Sequence, residues 1–230
     1  MVDYAFDQIA AMIDHAILHP AATEEHVTRE CTAVREYGIA TVLVKPCSVM
    51  LAARLLKGSQ LAIGTTVSFP RGCNVTAVKV REAEQAMNDG ATEIDMVSNI
   101  GMVLSEQWSY VAKDIGAVLD VVHRRGGILK VIFENCYLAD KHKVELCKIC
   151  AELGVDFAKT STGFGTAGAT DEDVQLMRRL LPGRVKLKAA GGIRTLDHLL
   201  RLRALGADRI GTSSTLAILN ECRRRVTADT

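Results

Sequence analysis

Short runs of apolar and β-branched residues alternate along this chain with longer stretches whose apolar positions recur every three or four residues. The short runs predict strands at Met12–Leu18, Thr41–Pro46, Leu61–Phe69, Glu93–Asn99, Ile128–Asn135, Phe157–Thr162, Val185–Ala190 and Asp208–Ser213. Between them, helical periodicity marks Glu24–Tyr37, Val75–Asn88, Trp108–Arg124, Lys141–Leu153, Asp171–Leu181 and Thr195–Leu205. Thr23, Thr170 and Thr195 stand where a helix start needs a side-chain acceptor. Gly38, Gly90, Gly154 and Gly206 stand where a helix must stop, in the left-handed turn that glycine adopts without steric cost.

Eight strand–helix units with no linker or composition break predict one domain over residues 1–230, a (β/α)8 TIM barrel of the α/β class. The segment Glu221–Thr230 is basic and then polar, and is expected to fray. A doubly wound open sheet is the rival, but it would carry a glycine-rich nucleotide loop after its first strand, and none is there. Residues 163–168 (GFGTAG) fit the dinucleotide expression but follow the sixth candidate strand, so they carry little weight.

Composition narrows the partners. A net charge of +1 gives no reason to expect nucleic acid or an anionic membrane, so an anionic ligand needs a local trap. No apolar run reaches the roughly 18 residues of a membrane span. Seven cysteines at irregular spacing, with no secretory leader, predict reduced thiols and a cytoplasmic location. Cys147 and Cys150 form a C-x-x-C pair, but within helical periodicity and without a second pair, so they read as helix thiols. No H-x-H or H-E-x-x-H pattern occurs, and neither metal nor cofactor is expected.

In a TIM barrel the chemistry sits at the C-terminal strand ends, so polar residues late in strands are the candidates. Lys159 and Lys188 lie inside apolar strands just before loops rich in small residues. Each could simply reach solvent or pair with a carboxylate; two on neighbouring strands favour chemistry. An amine attacks a carbonyl only when neutral, and a second cation nearby disfavours its protonation, as does burial. One lysine is then the nucleophile and the other its tuner; the residues alone do not say which.

Asp95 shares a strand face with Glu93 and Val97, and could pair with a lysine or relay protons. Lys130 and Glu134 share a face of strand five, and with Asp14 of strand one are expected to supply a supporting polar network. His15 could be a base or a structural polar residue. Gly191, Gly192 and Arg194 follow strand seven, and Gly211, Ser213 and Ser214 close strand eight. Close backbone approach, hydroxyl donors and a helix N-terminus make such loops a phosphate trap.

The segments IDHAILHP (13–20), SFPRG (68–72), EIDMVSNIG (93–101), LKVIFE (129–134), AKTSTGFGTAGAT (158–170), KAAGGIRT (188–195) and RIGTSS (209–214) resemble the deoxyribose-phosphate aldolase family, from about Ile13 to Leu219. The resemblance implies reversible cleavage of 2-deoxy-D-ribose 5-phosphate to D-glyceraldehyde 3-phosphate and acetaldehyde, through an imine on Lys159. It also implies that Lys188 perturbs the nucleophile and Asp95 takes part in proton relay. Gly163, Gly192, Ser213 and Ser214 match phosphate-holding positions, with Thr162, Gly191, Arg194 and Gly211 alongside.

Departures from the family pattern include Lys45, which would put an extra cation near the substrate mouth, together with Ser98, Ala190 and Thr215-Leu216. They leave room for a Schiff-base aldolase of another sugar phosphate or aldehyde pair. A sugar-phosphate-binding protein without turnover is disfavoured, because binding alone needs only the loops. Whether the chain forms a homo-oligomer is not legible in the sequence.

Overall fold

A computed structural model describes residues 4–228. The strands are β1 (Ile13–Ile17), β2 (Thr41–Val44), β3 (Ala62–Val67), β4 (Glu93–Val97), β5 (Ile128–Ile132), β6 (Phe157–Lys159), β7 (Lys186–Ala190) and β8 (Arg209–Thr212). Every strand pairs in parallel with its sequence neighbours, and β1 pairs β8 to close the barrel. Each strand lies where its apolar run predicts, and all but β7 stop earlier, as the chain turns toward the rim.

The alternation of side chains divides each strand between two environments. Ile94 and Met96, Leu129 and Val131, Leu187 and Ala189 belong to the hydrophobic core between barrel and helices. Their neighbours in sequence point inward, and there the fill is largely polar: Asp14, Thr41, Asp95, Lys130, Lys159 and Lys188 are all buried. The strands thus read as apolar because one face packs helices, while the barrel lumen holds charge.

Helices form as expected at Glu24–Val34, Thr76–Asn88, Trp108–Arg124, Asp140–Leu153, Asp171–Leu180 and Leu196–Ala204. Thr23, Thr170 and Thr195 accept from the amides of His26, Asp173 and His198 respectively. Gly38, Gly90, Gly154 and Gly206 all have positive φ. Cys147 and Cys150 face the core, where burial pushes the first thiol up to about 12 and the second well above the ordinary range.

The expectation of a fraying tail needs correction. A helix runs Thr215–Ala228, and its Ile218, Leu219 and Cys222 are buried. Arg225 Nη1 donates to Asp197 Oδ1 at 2.6 Å, and Arg223 lies 4.9 Å over the Phe6 ring of the helix Phe6–Ala10. Two of the basic residues that suggested a solvated end are therefore held by a carboxylate and a ring of neighbouring helices. Residues 229–230 of that expectation lie outside the described residues.

Outside the barrel, Lys79 and Asp114 join two helices as a fully buried pair, Nζ to Oδ2 at 2.5 Å, with Thr76 Oγ1 donating to Asp114 Oδ1 at 2.8 Å. Lys79→Met would strand the Asp114 charge. It should cost about 3–5 kcal/mol in urea unfolding, and adding Asp114→Leu should recover most of that. A single variant within about 0.5 kcal/mol of wild type would contradict a desolvated pair.

Candidate active site

Strand period and register stack the inward charges. Asp95 on β4 lies beside Lys130 on β5, Lys159 on β6 beside Lys188 on β7, and Lys188 beside Arg209 on β8. Asp95 is the hub. Its Oδ2 accepts from Lys159 Nζ and from Lys188 Nζ, both at 2.7 Å, and its Oδ1 accepts from Lys130 Nζ at 2.9 Å. Lys188 also donates to Asp14 Oδ2. Lys130 Nζ reaches Glu93 Oε2 at 2.5 Å and Asp14 Oδ2 at 3.3 Å. Lower in the barrel, Arg209 Nη1 binds Asp14 Oδ1 at 2.6 Å and lies 3.4 Å from Glu93 Oε2.

A charge count on these groups shows the consequence. Lys130, Lys188 and Arg209 match Asp14, Glu93 and Asp95, three against three; Lys159 is a fourth cation without a carboxylate of its own. Burial pulls the Lys159 amine down, Asp95 opposes that, and Lys188 and Lys130 add to it, leaving Lys159 at about 8. For Lys130, burial also pulls down but Asp14, Asp95 and Glu93 outweigh it, so its amine is held above the ordinary lysine value. Asp95 is raised by burial, yet Lys130, Lys159 and Lys188 hold it well below the usual carboxylate range. The cluster can present one neutral amine among fixed charges.

That amine opens into a cavity of about 430 Å³ at the C-terminal mouth, which Lys159 lines. Asp95, Lys188, Asp14 and Lys130 lie beneath it and do not line it. Opposite are Gly163, Gly191 and Gly192, at φ of 85°, 90° and 76°, with Arg194 and Ser213 exposed beside them. Ser214 is not in the lining; its amide donates to Thr212 Oγ1 at 2.9 Å. Thr162 lines the cavity, but its amide and hydroxyl both donate to the Glu134 carboxylate. Gly211 lies within β8, where a Cβ would come 3.2 Å from Lys188 Cε and 2.9 Å from Ala190 Cβ. Its lack of a side chain therefore makes room for the lysine stem as well as for a ligand.

Several expectations change here. Glu134 does not join Lys130: the chain leaves the strand after Ile132, and at φ 61° Glu134 turns to the β6 loop. Lys45 puts no cation in the cavity, because its Nζ donates to the carbonyls of Pro20 at 3.1 Å and Ala22 at 2.8 Å. His15 points away from the lumen to Thr215 Oγ1, 2.9 Å away, and burial pushes its imidazole down to about 4. Arg209 was missed, and Glu93 was noted only as sharing the Asp95 face. The shared parity of Arg209 with Gly211 was the one available signal.

The β6 and β7 loops touch: the Ala169 amide donates to Ala190 O at 3.0 Å, and a Cβ on Gly168 would fall 2.2 Å from Gly191 O. Gly168→Ala must therefore separate the loops. It should cost about 1–3 kcal/mol in chemical denaturation and speed hydrogen exchange at the Ala169 amide. Unchanged exchange would mean that the loops are not locked together.

Residues 1–221 match the family model described as DeoC/LacD family aldolase. A deoxyribose-phosphate aldolase of Rhodopirellula baltica is 46% identical over 98% of this chain and 94% of its own length. One of Caldanaerobacter subterraneus subsp. tengcongensis is 47% identical over 94% of each. The tetrameric deoxyribose phosphate aldolase of Aeropyrum pernix superposes with a TM-score of 0.89 at 30% identity, covering 95% of this chain and 92% of that one. On the match over nearly its whole length, this chain belongs to the DeoC/LacD family of aldolases.

Proposed function

We propose that this chain is a class I deoxyribose-phosphate aldolase, reversibly cleaving 2-deoxy-D-ribose 5-phosphate into D-glyceraldehyde 3-phosphate and acetaldehyde. The observation that carries the reading is Lys159: a buried amine depressed to about 8, on the floor of a cavity ringed by glycine loops. The substrate class follows from the relatives' activity together with those loops. Gly163, Gly191, Gly192 and Ser213, with Arg194 at the edge, would hold the phosphate, while Thr162 is kept in place by Glu134.

Neutral Lys159 adds to the aldehyde carbon of the open-chain sugar. Asp95, within hydrogen-bond reach of Lys159, is placed to pass protons during loss of water from the carbinolamine. The iminium then draws the electron pair of the C2–C3 bond as that bond breaks and the C3 hydroxyl gives up its proton, releasing glyceraldehyde 3-phosphate and leaving an enamine on Lys159. Protonation of the enamine and hydrolysis of the imine free acetaldehyde and restore the amine. Lys188 is a tuner by geometry, since it is held on Asp14 and Asp95 below the cavity. Of the two lysines only Lys159 lines the cavity, which supports Lys159 as the nucleophile.

Lys45, the residue that motivated a different substrate, is held by backbone carbonyls, so nothing at the site favours that alternative. Among the described residues no helix is long and apolar enough to cross a membrane. With seven free cysteines, that fits action in the reducing cytoplasm. Assembly into a homo-oligomer fits the tetrameric Aeropyrum relative.

Borohydride added during turnover should fix the mass of the reduced acetaldehyde imine on Lys159, and Lys159→Ala should lose both the adduct and acetaldehyde release. Turnover with no modified lysine would sink the mechanism. The rate of imine formation should rise about tenfold per pH unit below the Lys159 value of about 8 and level off above it, because only the deprotonated amine attacks. Asp95→Asn should lower kcat by about 10²–10⁴, and a variant within twofold of wild type would remove Asp95 from the proton path.

A further inference from the structure

We infer that Arg209 and Glu93, which do not line the cavity, are positioning residues that set the ionisation of Lys159 by fixing the charge balance of the barrel interior. The inference rests on the Schiff-base reading above and extends it to the floor of the barrel.

The geometry is a two-tier network. In the upper tier Asp95 receives Lys130, Lys159 and Lys188. In the lower tier Glu93 receives Lys130 at 2.5 Å, Arg209 at 3.4 Å and the Thr41 hydroxyl at 2.7 Å. Asp14 spans both, with Lys188 and Lys130 on one oxygen and Arg209 on the other at 2.6 Å. Arg209 is held from the outer side by the Phe157 ring, 5.2 Å from its guanidinium, and it donates to Thr41 Oγ1 at 3.0 Å. It is thus a largely buried charge held at the end of the barrel away from the cavity.

Around Lys159 the charged groups can be taken strand by strand. They are Asp14 on β1, Glu93 and Asp95 on β4, Lys130 on β5, Lys188 on β7 and Arg209 on β8. The inward positions of β2 and β3 add none, being Thr41, Leu43, Gly64 and Thr66. Lys186 lies at the exposed far end over Phe157, and Glu134 is bound to Thr162 at the rim. Above, Arg194, His19 and His26 line the cavity, and Arg194 and His19 are exposed to solvent screening.

Removing Arg209 leaves three carboxylates against two permanent cations, so the interior would draw a proton onto Lys159. Removing the Glu93 charge leaves two carboxylates against three cations, so the interior would repel that proton. Within this mostly buried interior, adding or removing a unit charge acts at roughly the scale of a pKa unit.

The test follows borohydride-trapped imine formation with acetaldehyde across pH in wild type, Arg209→Gln, Glu93→Gln and the double variant. The Lys159 titration is read independently by NMR of isotope-labelled lysine. The midpoint should rise by about one unit in Arg209→Gln, fall by about one unit in Glu93→Gln, and return to within a few tenths of wild type in the double variant. Arg209→Lys should keep the wild-type midpoint.

A purely structural role predicts something different. Loosened packing admits water and moves Lys159 toward its ordinary value, so Glu93→Gln would shift upward and the double variant would be worse than either single one. An unshifted or raised midpoint in Glu93→Gln overturns the inference, and that arm decides even if Arg209→Gln does not fold. Absence of trapped imine in the wild type would instead overturn the Schiff-base reading. The NMR titrations would then still decide whether Arg209 and Glu93 govern the amine.

Discussion

Four cationic side chains and three carboxylates share the interior of one small barrel, all but Arg209 buried from water. Charges cannot be carried into such a space unless they are paired, and an odd cation has one inexpensive way out, which is to lose its proton. The rest of the site follows from that imbalance. Asp95 accepts three amines and holds them at bonding distance, two of them on the same oxygen. Of the three, Lys159 alone lies at the boundary between the dry cluster and the open mouth. An ordinary lysine there would be almost wholly protonated at neutral pH; with its value lowered to about 8, a larger fraction of Lys159 is neutral and able to attack a carbonyl.

The fold separates the two requirements of such a site. Helices pack on the outward strand faces through Ile94, Met96, Leu129, Val131, Leu187 and Ala189, and that packing stabilises the barrel without involving the lumen. The inward faces can then hold a polar network whose members satisfy one another, as a buried network must if it is not to destabilise the fold. Glycine marks the points where the two demands collide. Gly211 gives the Lys188 stem room within β8, and Gly168 lets the β6 loop lie against Gly191.

Much of this was legible in the sequence, for a simple reason. Strand alternation puts every second residue on one face, and in a barrel the polar residues late in strands are the candidates for chemistry. That singled out Lys159, Lys188, Asp95, Asp14 and Lys130 from the sequence. Arg209 was not legible because a charged residue at the start of a strand ordinarily faces solvent; here Phe157 and Thr41 hold it inward. Glu134 kept the parity of Lys130 in sequence but not in space, since one left-handed residue redirects the chain. Lys45 and the C-terminal helix misled in the same way: the sequence shows charge, but only the structure shows the carbonyls that hold Lys45 and the carboxylate that pairs Arg225.

The protonation state of Lys159 is the central claim, and neutron diffraction reads it without recourse to activity. In a deuterated crystal equilibrated about one unit above the Lys159 value of about 8, two deuterons are expected on Lys159 Nζ and three on Lys130 Nζ. Three deuterons on Lys159 under those conditions would show that the cluster tolerates its surplus charge, and would contradict the account.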